Sequence, residues 1–128
     1  MRSMMACPTA VSWGPNRIDV VWSSLQDRNG AAAGEEDLGG SLSSDPSAVA
    51  DQLNSIHVLY NSGGQLVDRR WIHGHGWNTP PTPLDDTATN QIDAARPPAV
   101  ASWGPNRVDV FFARRDGQTY VYRKTFRG

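Results

Sequence analysis

The chain has 128 residues, the size of about one domain. Hydrophobic residues make up 38% and charged residues 20%, which excludes a disordered acidic tail, and no apolar run approaches the ~20 residues that span a bilayer. A formal net charge of −1 removes the bulk attraction to polyanions, so neither nucleic acid nor membrane insertion is expected.

Taken from the start, Met1-Arg2-Ser3-Met4-Met5-Ala6 carries one positive charge and no apolar stretch of signal-peptide length. No secretion signal is expected, and the compartment stays unassigned. The single cysteine, Cys7, excludes an internal disulfide framework and a Cys-rich zinc site. A β-hairpin follows. Ala10-Val11-Ser12-Trp13 ends one strand, Gly14-Pro15-Asn16 supplies turn chemistry, and Ile18, Val20 and Trp22 alternate along the next. Residues 27–40 read as a loop, in which Ala31–Asp37 has the composition for a single helical turn.

A second strand pair is predicted around residues 46–60, and a third strand at Gln65–Ile72 after Ser62-Gly63-Gly64. Residues 78–98 read as a loop rich in Pro, Thr and Asp. The last hairpin turns at Gly104-Pro105-Asn106, with Val108, Val110 and Phe112 alternating, and a final strand is predicted at Thr119–Phe126. The fold class expected is all-β, antiparallel.

An internal repeat organises these elements. Ser12-Trp13-Gly14-Pro15-Asn16-Arg17-Ile18-Asp19-Val20 recurs 90 residues on as Ser102-Trp103-Gly104-Pro105-Asn106-Arg107-Val108-Asp109-Val110, with Ile for Val as the one exchange. Two periods of about 45 lie in the range of propeller blades. A degenerate middle copy begins at Pro46-Ser47-Ala48-Val49-Ala50, 38 residues after Pro8-Thr9-Ala10-Val11-Ser12. This register sets Asn54 on Asn16, Ile56 on Ile18, Val58 on Val20 and Tyr60 on Trp22, while Trp-Gly-Pro is replaced by Asp51-Gln52-Leu53. The units run approximately over residues 8–45, 46–97 and 98–128.

The motif Ser-Trp-Gly-Pro-Asn-Arg-(Ile/Val)-Asp-Val, preceded by Pro8-Thr9-Ala10-Val11 in the first copy and by Pro97-Pro98-Ala99-Val100-Ala101 in the third, resembles the repeat of the PLL-type fucose-binding lectins, a family of β-propellers. Asp37-Leu38-Gly39-Gly40-Ser41-Leu42-Ser43-Ser44-Asp45-Pro46 is similar to that family's inter-blade spacer. Trp71-Ile72-His73-Gly74-His75-Gly76-Trp77 is similar to its third-strand Trp, glycine turn and fourth-strand Trp. The resemblance implies two to three antiparallel propeller blades that bind glycans, fucosylated or related, without catalysis and without a cofactor. Such lectins close as rings of about seven blades, so it also implies self-association, further repeats, or a fragment or diverged remnant of a propeller.

Sugar recognition combines an aromatic ring under the sugar's C–H face with donors and acceptors for its hydroxyls. Such sites in repeat lectins fall between blades, and the complete one is expected where the middle unit meets the third. Trp71 and Trp77 are the stacking candidates there, Asn106 and Arg107 the hydroxyl partners, and Trp103 a further aromatic candidate. A packing reading stands beside this one: Trp13 and Trp103 recur once per unit as interior elements do, and Asn16 and Asn106 suit the turn whatever else they do. A decayed propeller segment without sugar sites is therefore the alternative function.

Three further chemistries are weighed. His73-Gly74-His75 places two imidazoles together, but a third metal ligand is not evident and no metal is expected. The carboxylate pairs Glu35-Glu36 and Asp85-Asp86 sit in predicted loops with no apolar pocket to raise a pKa. Asp116-Gly117-Gln118-Thr119-Tyr120 falls one residue short of the sialidase repeat and lacks its serine. No catalytic residue is assigned.

Overall fold

The computed structural model describes residues 8–22, 38–40, 42–62, 65–83, 97–113 and 121–127. Every regular element among them is a β-strand, in chain order β1 (Thr9–Val11), β2 (Asp19–Val21), β3 (Ser47–Gln52), β4 (Ser55–Ser62), β5 (Gln65–Ile72), β6 (Gly76–Trp77), β7 (Thr82–Pro83), β8 (Ala99–Gly104), β9 (Arg107–Ala113) and β10 (Val121–Arg127). They form three antiparallel sheets, one per repeat unit: β1-β2, then β3-β4-β5-β6 with β7 also on β5, then β8-β9-β10. The described sheets close into neither a barrel nor a ring. Their first strands lie side by side in sequence order, β1 against β3 and β3 against β8.

The turn that opens each unit is set by one asparagine. Asn16, Asn54 and Asn106 have φ of 59°, 67° and 59°, the left-handed region that Asn tolerates better than other side chains. Nearly identical sequences nevertheless give strands of different length on the two sides of this turn. In the third unit the hairpin arms are β8 and β9, of six and seven residues; in the first, β1 and β2 have three each. Context makes the difference, because β9 is paired on both edges and covered by the middle sheet.

The middle sheet is the core of the molecule. Along β4 every residue from Ser55 to Asn61 is buried, since both faces are covered. On one face Val58, Tyr60 and Val67 pack with Val21 of the first unit, Leu42 and Trp77. On the other, Leu59 and Leu66 pack with Val108 and Val110 of the third unit. Fully burying one such side chain stabilises by roughly 1.5–3 kcal/mol, so these two clusters hold the three sheets in line.

The loop expected from residue 78 contains β7, which extends the sheet beyond β6. Pro80 and Pro81 have no N–H to donate and interrupt the ladder between the two. Asn78 bridges the interruption. Its side-chain oxygen accepts from the Arg70 N–H at 2.8 Å, and its own N–H donates to the Arg70 carbonyl at 2.9 Å. Cys7, the helical turn considered at 31–37 and both carboxylate pairs lie outside the described residues.

Candidate functional site

The repeat motif delivers Trp13, Arg17 and Asp19 from the first unit to the face of the second. The turn places Arg17 over the indole of Trp13, its guanidinium carbon 4.6 Å from the ring centre, a cation–π contact. Across the junction, β5 brings Trp71 to 5.0 Å from Trp13, centre to centre, with the rings tilted by 45°. His73, in the β5–β6 turn, lies 5.9 Å from Trp13 and 5.8 Å from Trp71. Trp77 is the cross-strand partner of Trp71 in the β5–β6 ladder.

These side chains surround an open cleft of about 170 Å³ lined by Trp13, Arg17, Asp19, Ile56, Trp71 and Trp77. An apolar cavity of roughly 150 Å³ holds one benzene molecule, so this space suits a single six-membered ring. The cleft is not merely apolar. Asp19 Oδ2 is shielded from solvent and has no hydrogen-bond partner among the described residues. A carboxylate oxygen left in that position costs free energy until a donor reaches it.

The expected site residues are thereby divided between two junctions. Trp71 and Trp77 come together with Trp13 of the first unit, whereas they were expected to meet the third. Asn106 stands at the other junction, its side-chain oxygen accepting from Arg70 Nη2 at 3.1 Å and from Gln52 Nε2 at 3.3 Å. Trp103 and Arg107 pair with each other, the guanidinium carbon 4.0 Å from the indole centre, on an exposed surface. The physical reason is strand alternation: Arg70 and Trp71 are neighbours on β5 and point to opposite faces of the sheet. His73 joins the aromatic group of Trp13 and Trp71.

The second junction holds a buried polar group in place of aromatic rings. In the repeat register Asp51, Ser55 and His57 stand where Trp13, Arg17 and Asp19 stand in the first unit. His57 Nδ1 is 2.9 Å from Asp68 Oδ2, and since a carboxylate only accepts, Nδ1 carries the proton. That bond turns Nε2 toward Asp51 Oδ1, 3.5 Å away. Asp51 Oδ2 lies 3.7 Å from Arg70 Nη2 and accepts the Asn106 backbone N–H at 3.0 Å. His57 and both carboxylates are almost wholly buried.

Comparison with family models, with curated proteins and with solved structures returns no match.

Proposed function

We propose that the chain is a carbohydrate-binding module of propeller-type blades whose cleft between the first and second sheets takes one sugar ring, fucose or a related sugar. The observation that carries this reading is the union of three indoles with Arg17 and the unpartnered Asp19 oxygen around one ring-sized space. Indole faces suit the C–H face of a pyranose, and Ile56 offers an apolar wall for the methyl group of a 6-deoxy sugar. Asp19 accepts from a sugar hydroxyl, and Arg17 donates to one. The three sheets with adjacent first strands are consistent with consecutive blades. Sugar identity within this class rests on the motif resemblance. No group in the cleft is assigned a catalytic step.

A second reading, a structural segment without sugar binding, is favoured by one observation: Trp13, Trp71 and His73 already pack on one another. Titration of fucosylated glycans, followed by tryptophan fluorescence, separates the two. A single stacked aromatic adds about 0.5–1.5 kcal/mol beyond its buried area, so binding at one site is weak, and Trp77→Ala, which removes that contribution together with the buried area, weakens it by roughly tenfold. Asp19→Asn removes a charge-assisted acceptor worth about 1.5–3 kcal/mol and weakens binding by roughly tenfold or more. Trp103→Ala, at the other end of the molecule, leaves affinity unchanged. Absence of glycan binding by the parent, or parental affinity in folded Trp77→Ala and Asp19→Asn variants, makes the structural reading the correct one.

A further inference from the structure

The three units stack with one polarity. On the strand after each turn, one row of alternate residues faces the preceding unit and the other row faces the following unit. In the middle unit Val58 and Tyr60 meet Val21 of the first unit, while Leu59 faces forward to Val108 and Val110 of the third. The repeat register makes Val21, Leu59 and Phe111 equivalent, all forward-facing. It likewise makes Ile18-Val20-Trp22 equivalent to Val108-Val110-Phe112, all facing back.

Equivalent residues therefore have opposite fates at the two ends. Val108 and Val110 are 1% and 0% exposed because the middle sheet covers them; Ile18 and Val20 are 78% and 49% exposed. Trp22 is exposed beside them, and at the far end Phe111 and Trp103 are exposed too. The back face of the first unit thus presents the side chains that, in the third unit, are buried by a forward face. The forward face of the third unit carries an apolar residue where Val21 and Leu59 make those contacts.

We infer that these two faces bind each other between copies of this chain, head to tail, Phe111 of one copy seating on Ile18, Val20 and Trp22 of the next. The occupant follows from the two junctions inside the chain, which this contact continues with the same pairing of rows. A contact between two different faces leaves one of each free, so association runs on to a closed ring or a fibre.

Sedimentation velocity on the 128-residue chain tests this, with circular dichroism to verify sheet content. The parent is expected to form particles larger than a monomer at tens of micromolar, their mass rising with concentration until a ring closes. Val20→Asp spoils only the back face and Phe111→Asp only the forward face, so each variant alone is monomeric. Mixed in equal amounts, the two form a dimer that grows no further, because each supplies the face that the other lacks. This complementation requires both variants to be folded. A parent that stays monomeric overturns the inference, as does either variant assembling like the parent. Two monomeric variants that fail to pair when mixed overturn it as well.

Discussion

Asn106 donates its backbone N–H to the carboxylate of Asp51 in the neighbouring sheet, at 3.0 Å. The same bond recurs one junction earlier with a different acceptor, since Asn54 N–H donates to the backbone carbonyl of Trp13 at 3.2 Å. A left-handed residue thus frees its N–H to reach the unit before it. At the second junction the acceptor is a side chain, and mutation can remove it.

Asp51→Ala leaves the Asn106 N–H, one guanidinium nitrogen of Arg70 and the Nε2 side of His57 without this carboxylate. A loss of about 2–3 kcal/mol is expected, the range for stranding buried polar partners. Asp51→Asn keeps an acceptor for Asn106 and loses less. Urea midpoints at one fixed protein concentration measure both, the fixed concentration removing any contribution from association.

Asn54 tests the turn itself, because its side chain makes no hydrogen bond among the described residues. Asn54→Ala forces a Cβ-bearing residue without Asn's tolerance into φ of 67° and is expected to cost about 1 kcal/mol. Asn54→Gly fits that backbone freely and stays within about 0.5 kcal/mol of the parent. Thermal midpoints of the two variants should separate accordingly; equal losses would show that side-chain contacts, not backbone conformation, select this asparagine.

Tyr60 sets an alkaline limit. Burial pushes its phenol above the ordinary value of 10.0, opposed by the positive charge of Arg69 and reinforced by Asp68. A raised native pKa means that the folded state holds the proton more tightly than the unfolded chain does. The stability so linked is complete below pH 10 and is lost as pH rises through the native value. Unfolding free energy measured from pH 8 to 12 should fall above about pH 10, and less steeply in Tyr60→Phe, which has no proton to lose. Equal slopes in parent and variant would remove Tyr60 from the cause.

The repeat, the turns and the course of β5 were legible because each leaves a local mark. Trp13-Gly14-Pro15-Asn16 repeats at residues 103–106, and Gln65–Ile72 is bounded by glycine turns. The resemblance placed Trp71 and Trp77 on consecutive strands across a glycine turn, and they are cross-strand partners there. Their meeting with Trp13 was not legible, since it depends on which face of the middle sheet each unit covers. The His57 and Asp68 pair was hidden by β4 itself. Ser55, His57 and Asn61 alternate with Ile56, Val58 and Tyr60 along β4, the pattern of a strand with one face in water, so they gave no sign of an interior. The one available signal was the register, which sets Asp51 and His57 on the positions of Trp13 and Asp19.

Covering both faces of β4 also fixes the order in which the molecule comes apart. Opening the first unit exposes one flank of the middle sheet, and opening the third exposes the other, but β4 is freed only when both have gone. The amide hydrogens of β4 should therefore exchange with deuterium at the rate set by global unfolding. Those of β1 and β2, joined to each other by a three-residue ladder, should exchange through local fraying long before.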